Sequence, residues 1–383
     1  MGVRQDVSFF SVLLIVFFLS TAQGLSYVFI DLFLNDMGVS PAGIGLNAAM
    51  PALGWLAAGP FLPFLQRRFD LPKIVAVLLT LPLAAAVAFR LVPDADVWLF
   101  LRLAFGGGIG AALRLIEYWL NAGSADAHRG RRLGLYSAVY CSGAALGAAV
   151  LPVTGYQGWA PVLTIAGLVA AGLAGVLAVP APPSRLQHQP RWSLSLAAGP
   201  AFPALAGALA CGLLESIPYT LMPVQVLRAG GGETLAAWTA TAFLLGVLAF
   251  PVLAGMLADR IGERPVLALC GAVMLVLPVV LPSSLPQPAL FLALMAVWGG
   301  AGGSVYALAL AVIGTRFRDA ELSASNTLFG VANGAGALAG PIINGTLMGI
   351  SPAHGLTAAS VFLSLLFLGA MVTAPLLWRT ENA

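Results

Sequence analysis

Charged residues are scarce in this sequence of 383 amino acids. Lys and Arg number 18 and Asp and Glu 15, which is 9% of the chain, whereas 60% of the residues are hydrophobic and the mean hydropathy is +0.94. So little polar surface does not cover a soluble globule of this size, and the sequence predicts an integral membrane protein in contact with the lipid bilayer. The net charge of +3 is small and the basic residues fall in short clusters, so we expect no nucleic-acid partner.

Cysteine and histidine are equally rare, with three of each. The cysteines lie far apart inside apolar runs and the histidines fall between such runs or at the edge of one, so neither set has the spacing of a metal site or a disulfide framework. The sequence also contains no HExxH motif and no phosphate-cradling glycine loop. We therefore predict that the chain is not an enzyme and uses neither a metal nor a cofactor.

Long apolar runs fill most of the sequence. The first extends from the N-terminus through residue 34, which is longer than the core of a signal peptide and long enough to span about 30 Å of hydrocarbon. Eleven more runs follow, at residues 41–65, 73–92, 97–121, 132–153, 159–180, 199–227, 234–257, 265–282, 287–314, 322–349 and 354–378. The sequence thus predicts an all-α membrane protein with twelve transmembrane helices: an N-terminal half (1–180), a cytoplasmic linker (181–198) and a C-terminal half (199–383).

Lys and Arg occur in every second loop between these runs. They are Arg67, Arg68, Lys73, Arg129, Arg131, Arg132, Arg185, Arg191, Arg260, Arg264, Arg316 and Arg318, with Arg4 and Arg379 near the ends. Because short loops rich in Lys and Arg stay in the cytoplasm, both termini are expected there, in a multi-pass protein of the cytoplasmic (inner) membrane.

The two halves share a glycine pattern. Gly106, Gly110, Gly143 and Gly147 recur 193 residues later as Gly299, Gly303, Gly336 and Gly340. Glycines four residues apart let transmembrane helices pack with their backbones in contact. The pattern predicts two six-helix repeats in parallel orientation, and such repeats place a substrate site near the middle of the membrane.

Two segments carry a family resemblance. GMLADRIGERP, at Gly255–Pro265, resembles the loop signature G-x-x-x-D-R-x-G-x-R of the major facilitator superfamily, and RLAFGGGIG, from Arg102, resembles its fourth-helix signature R-x-x-x-G-x-G. Longer segments are similar to a small bacterial branch of twelve-helix, efflux-like members. The resemblance covers essentially the whole chain and implies the major facilitator fold and alternating-access transport.

The resemblance also implies a set of gating residues. They are Gly59, Arg67, Arg68, Arg131, Gly255, Asp259, Arg260, Gly262 and Arg264. The first half departs from the signature, since its expected Asp falls on Pro63 and its expected Gly on Gln66. Asp259 is then the one acid left at this position of the two loop signatures. By the internal repeat of the two halves, it is expected to face the start of the fifth helix near Arg131. The fifth helix does not contain the glycine and proline run associated with antiporters.

Ionisable residues inside apolar runs are the candidates for coupling, because charge in the membrane is costly. Glu215 has no cation within one helical turn and lies beside Pro218, which is expected to interrupt its helix. It is our leading protonation site, with Arg102 as its helper, although an Arg102 side chain that snorkels to the membrane surface is the alternative. Arg114 and Glu117 are three residues apart and are interpreted as a mutually neutralising pair. Asp31, at the outer end of the first helix, is expected to be solvated.

Aromatic residues within the runs are further candidates for lining a substrate cavity. They are Tyr140, Tyr219, Trp298 and Tyr306, with Tyr27 and Trp238, and packing or an interfacial belt is the alternative for each.

Three hypotheses of function follow. The first is a monomeric, proton-coupled secondary transporter that exports a small neutral or singly charged solute. The second is an uptake symporter or facilitator for a small organic solute. The third is a receptor or assembly factor that uses a transporter fold without transport.

Overall fold

The computed structural model describes residues 2–122, 126–179, 201–317 and 319–373. Its helices are α1 (Gly2–Asp36), α2 (Pro41–Ala58), α3 (Leu62–Gln66), α4 (Leu71–Leu91), α5 (Ala95–Ala122), α6 (Asp126–Thr154), α7 (Ala160–Ala178), α8 (Phe202–Ser216), α9 (Met222–Arg228), α10 (Glu233–Ile261), α11 (Glu263–Ser284), α12 (Pro288–Arg316), α13 (Asp319–Ile350) and α14 (Gly355–Thr373). A 3₁₀ segment, Gly59–Phe61, joins α2 to α3, and a π-helical turn, Ile217–Leu221, joins α8 to α9. The predicted linker, 181–198, lies outside the described residues.

Taken with their joining segments, these helices make twelve passes, and the described ranges contain no strand. Nine helical segments in those ranges are long and apolar enough to cross a membrane. The predicted fold class, an all-α membrane protein with twelve helices, is confirmed.

The first compact unit comprises Met1–Val39 and Leu46–Gln187. Helix α1 packs against α6 and α7, and α4 packs against α5 and α7. Trp98 is fully buried and stacks on Phe33, with ring centroids 5.0 Å apart, while its indole Nε1 donates to the carbonyl O of Val92 at 2.7 Å. An aromatic core thus holds α1 and α5 together near the N-terminal end of α5.

Glycines set the closest approaches in this unit. A Cβ built on Gly147 would lie 2.1 Å from the carbonyl O of Thr21, and one on Gly106 would lie 2.3 Å from Pro51 Cβ. A side chain at Gly147 would push α6 away from α1, and a side chain at Gly106 would push α5 away from α2. The predicted role of the glycine spacing is confirmed for this unit.

The second compact unit comprises Ser40–Gly45 and His188–Ala383. Helix α10 packs against α12, α13 against α8, and α11 against α12 and α14. A Cβ on Gly340 would lie 2.4 Å from the carbonyl O of Leu213, and one on Gly299 would lie 2.0 Å from that of Phe243. The glycines 193 residues apart therefore support equivalent helix contacts, α6 on α1 in the first unit and α13 on α8 in the second.

Candidate functional site

Arg102 and Asp31 form a buried ion pair inside the first unit. Arg102 on α5 is 1% exposed and Asp31 on α1 is 0% exposed. The guanidinium Nη1 donates to Asp31 Oδ1, and Nη2 lies 3.3 Å from Oδ2. The expectation that Asp31 is solvated is wrong, because its carboxylate turns into the helix bundle toward Arg102. The snorkelling alternative for Arg102 is wrong for the same reason.

Asn47, on α2, completes the surroundings of Arg102. Its Oδ1 accepts a second hydrogen bond from Arg102 Nη1 at 3.2 Å, and its side chain is 1% exposed. Among the described residues, neither Asn47 Nδ2 nor Arg102 Nε has a hydrogen-bond partner. Three helices therefore contribute one polar side chain each to a buried site whose charges cancel.

A chain of polar side chains leads away from Arg102. Its guanidinium carbon lies 5.8 Å from the centre of the Tyr27 ring, and Gln23 Nε2 donates to the Tyr27 hydroxyl at 2.7 Å. The Tyr140 hydroxyl donates to Gln23 Oε1 at 3.2 Å. The structure thus links the predicted residues Arg102 and Tyr140 through Tyr27 and Gln23.

Sequence reasoning missed Gln23 and Asn47. Both are carboxamides within otherwise apolar segments, a signal that was available, since an uncharged polar group in a span also needs a partner. Only ionisable and aromatic residues were considered as site candidates, so these two carboxamides were left out.

Glu215 lies on α8 in the second unit, with an exposed side chain. One turn earlier, Cys211 Sγ lies 3.7 Å from the carbonyl O of Gly302 on α12. One turn later, Tyr219 packs edge-on against Phe243 of α10, with ring centroids 5.4 Å apart. Glu215 therefore lies between a contact of α8 with α12 and a contact of the π-helical turn with α10.

Two further aromatic candidates have packing contacts. Trp298 is 2% exposed and packs edge-on against Phe243 at 5.7 Å, so it belongs to the same cluster as Tyr219. Tyr306 lies on α12 against Phe329 of α13, with ring centroids 5.0 Å apart, and is 39% exposed. The structure brings Tyr219 and Trp298 close to one another through Phe243.

The helix beside Glu215 changes its hydrogen bonding without breaking. Pro218 has no N–H to donate to Leu214, and the N–H of Ile217 bonds the carbonyl O of Leu214 instead. Further along, the N–H of Met222 bonds the carbonyl O of Ile217, which is the five-residue spacing of a π-helix. The expected interruption is corrected to a π-helical turn, because the proline removes one bond and the wider turn absorbs the mismatch.

Arg114 and Glu117 follow Arg102 on the same helix, α5. The Arg114 guanidinium lies over the Trp55 ring of α2, 4.8 Å from its centre, and the Glu117 side chain is half-buried. A cation over an indole face is a favourable contact, so part of the environment of Arg114 is aromatic. Mutual neutralisation of the two residues stays a prediction.

The loop signature lies at the end of α10. Gly262 has φ +92°, a left-handed backbone that favours glycine, and its N–H donates to the carbonyl O of Ala258 at 2.8 Å. Asp259, Arg260 and Arg264 have exposed side chains, and nothing lies within 4 Å of the position that a Cβ on Gly255 would take. The glycine of the signature is therefore required by the turn that ends the helix.

In the first half, Gly59 opens the 3₁₀ segment, and Arg67 and Arg68 are exposed. The Arg68 guanidinium lies 4.6 Å from the centre of the Phe64 ring. The side chain of Arg131 lies outside what the structure describes, so the expected contact of Asp259 stays a prediction. Within the described residues, no three His, Cys, Asp or Glu side chains are grouped to hold a metal.

Comparison with known proteins agrees with this architecture. A family model described as Major Facilitator Superfamily matches residues 12–228 and 204–383. The chain is 26% identical over 352 residues to the uncharacterized MFS-type transporter YfkF of Bacillus subtilis (strain 168), covering 89% of this chain and 88% of that protein.

Two solved structures share the fold. The nucleoside transporter NupG matches with a TM-score of 0.74 at 12% identity, over 98% of this chain and 100% of that one. The D-xylose-proton symporter matches with a TM-score of 0.71 at 16% identity, over 98% and 96%. The family model spans most of the sequence, and the helical architecture agrees with it, so the chain belongs to the major facilitator superfamily.

Proposed function

We propose that the protein is a secondary active transporter that exports a small neutral or singly charged solute across the cytoplasmic membrane by alternating access, in exchange for protons. The observation that carries this proposal is the ion pair of Asp31 and Arg102, buried in the membrane-spanning part of the first unit. Ionisable residues in such places are costly and mark ion or substrate pathways.

The pair supplies a physical reason for proton coupling. While Asp31 is charged, it balances the guanidinium of Arg102 and neither charge is left alone. A proton on Asp31 removes the negative charge and leaves Arg102 uncompensated in a poorly solvated place, which costs several kcal/mol. Protonation therefore favours a rearrangement in which Arg102 finds water or another acceptor, and this links proton occupancy to conformation.

Glu215 is the second carboxylate that we propose to exchange protons. It lies in the second unit, on α8, and its side chain is exposed beside the π-helical turn. π-Helical turns occur frequently at functional sites, because they place a side chain out of the regular helical register.

The scarcity of charge limits the solute. A solute with several charges would need several buried partners, whereas Arg102 is already balanced by Asp31. Gln23, Tyr27 and Tyr140 offer carboxamide and hydroxyl groups suited to a neutral polar solute. NupG and the D-xylose-proton symporter, which share the fold, carry a nucleoside and D-xylose by their names, and this supports a small polar solute. The symporter also makes proton-driven uptake the second candidate.

Inverted membrane vesicles test the proposal. Respiration acidifies their interior and quenches the dye ACMA, after which uridine, D-xylose, benzoate or tetraphenylphosphonium is added outside. Exchange of a solute for protons predicts recovery of fluorescence with the parent protein and little or none with Asp31→Asn. The matched control, Asp96→Asn, removes an exposed carboxylate and should respond as the parent does.

Recovery that is equal in the parent and in Asp31→Asn would contradict coupling through the buried pair. Alkalinisation of the medium when the solute is added to right-side-out vesicles, with no recovery of fluorescence in inverted vesicles, would replace export by uptake.

A further inference from the structure

The π-helical turn of α8 is fastened by a side chain from another helix. Asn344, on α13, is fully buried, with 0% exposure. Its Nδ2 donates to the carbonyl O of Leu213 at 2.8 Å and to Ser216 Oγ at 3.0 Å. Both hydrogens of the amide are therefore used on the last turn of α8, the turn that carries Glu215.

The acceptor on Leu213 is a consequence of the altered helix. In a regular α-helix the N–H of Ile217 would donate to the carbonyl O of Leu213, four residues earlier. Here the N–H of Ile217 donates to Leu214 instead, because Pro218 has no N–H to offer Leu214. The changed register thus takes the N–H of Ile217 away from the carbonyl of Leu213, and Asn344 supplies a donor to that carbonyl in its place.

A second asparagine on the same helix provides a contrast. Asn333 Nδ2 donates to the carbonyl O of Ala208 at 3.2 Å, in the regular part of α8. That carbonyl keeps its place in an ordinary α-helical ladder, so the side-chain bond there is an addition. The bond from Asn344 replaces a backbone hydrogen bond, so its loss should destabilise the turn.

We propose that Asn344 is a positioning residue for Glu215: its amide holds the π-helical turn in register and so fixes the direction in which the Glu215 side chain projects. Without the two hydrogen bonds, the carbonyl of Leu213 would be left short of a donor in a partly buried place, which is unfavourable. The turn would then shift toward other hydrogen-bond patterns and Glu215 would rotate about the helix axis. The part of the proposal that concerns coupling rests on the function proposed for Glu215.

Hydrogen exchange of the full-length protein in lipid nanodiscs tests the fastening. Asn344→Leu removes the donor group, and Asn344→Asp keeps the shape of the side chain but replaces the NH2 group by an oxygen, which leaves at most one donor, the hydroxyl of the neutral acid. Because Asn344→Leu loses two hydrogen bonds, it should exchange the amides of 217 and 219–222 about thirtyfold faster than the parent, which corresponds to about 2 kcal/mol. Asn344→Asp, which loses at least one of the two, should exchange them at least about fivefold faster. Asn333→Leu should leave those amides unchanged. Exchange of these amides at the parent rate in Asn344→Leu or in Asn344→Asp would overturn the proposal.

The pH profile of solute-driven ACMA recovery tests the positioning. If Asn344 acts through Glu215, Asn344→Leu should alter the profile in the same sense as Glu215→Gln, and the double variant should add nothing further. Faster exchange with an unaltered profile would show a purely structural role and would also overturn the proposal. A parent-like profile in Glu215→Gln would instead refute the function proposed for Glu215, while the exchange result would still decide whether Asn344 fastens the turn.

Discussion

Arg102 and Asp31 illustrate how a membrane-spanning helix tolerates a charge. Each side chain is almost completely buried, and each supplies the charge that the other needs. Asn47 accepts a further hydrogen bond from the guanidinium, so the charge is spread over two acceptors. At the scale of single residues, the stability of the site depends on both partners being present.

Removing one partner should therefore cost more than removing both. Arg102→Gln and Asp31→Asn should each lower the free energy of unfolding by about 3–5 kcal/mol, and the double variant should recover most of that loss. The midpoint of unfolding by SDS in mixed micelles measures this.

The exposed pair of Lys73 and Asp70, whose charged atoms are 2.7 Å apart, is the control. Lys73→Gln should cost less than about 1 kcal/mol, because water solvates both groups. A double variant of the buried pair as unstable as the sum of its single variants would contradict mutual compensation.

The sequence identified Arg102 but not its partner, for a physical reason. An arginine in an apolar run is conspicuous by itself, whereas the direction of Asp31 depends on how α1 is rotated against α5, a contact between residues 71 positions apart. The pattern of neighbouring residues in the sequence contains no information about that rotation. Gln23 and Asn47 do carry a local signal, as carboxamides within apolar segments, but the helices that they join depend on the same distant contacts.

At the scale of helices, glycine spacing was the most informative local signal. The four pairs of glycines predicted close packing, and the structure places Gly147 against α1 and Gly340 against α8. Small residues act directly on the distance between two backbones, so this signal needs no knowledge of distant contacts. The prolines of the seventh run marked the irregular turn but not its type, because a missing N–H permits either a break or a wider turn.

A methyl group at the contact between α6 and α1 should be destabilising. The Cβ of alanine at 147 would lie 2.1 Å from the carbonyl O of Thr21, so the two backbones must separate. Gly147→Ala should cost about 1–3 kcal/mol, a typical penalty for overpacking. Gly167→Ala is the control, because nothing lies within 4 Å of its Cβ position on α7, and it should cause no loss. Equal unfolding midpoints for the two variants would refute this account of the contact.

At the scale of the whole molecule, the distribution of Lys and Arg predicts the orientation in the membrane. Helix α4 separates the loop that carries Phe69, expected in the cytoplasm, from the loop that carries Asp94, expected outside. Both side chains are exposed, so each position can report its side. In a chain without native cysteines, a membrane-impermeant maleimide should label Asp94→Cys in intact cells and Phe69→Cys only after permeabilisation. The reverse pattern would show that the termini lie outside.

The two halves of the chain repeat the same helix contacts, and this much follows from sequence periodicity. The solute and the coupling residues that we propose do not follow from it. Asp31 and Arg102 in the first unit and Glu215 in the second carry the charges on which that proposal rests, and their roles depend on local geometry. Family membership fixes the architecture and leaves the chemistry to these residues.

The central claim is that the buried pair couples solute movement to protons. Electrical recording from purified protein in proteoliposomes on a solid-supported membrane tests it most directly, because no other transporter is present. A neutral solute exchanged for protons predicts a transient current when uridine or D-xylose is added, and its near-complete loss in Asp31→Asn. Asp96→Asn should give the parent current. Currents of equal size in the parent and in Asp31→Asn would contradict the account.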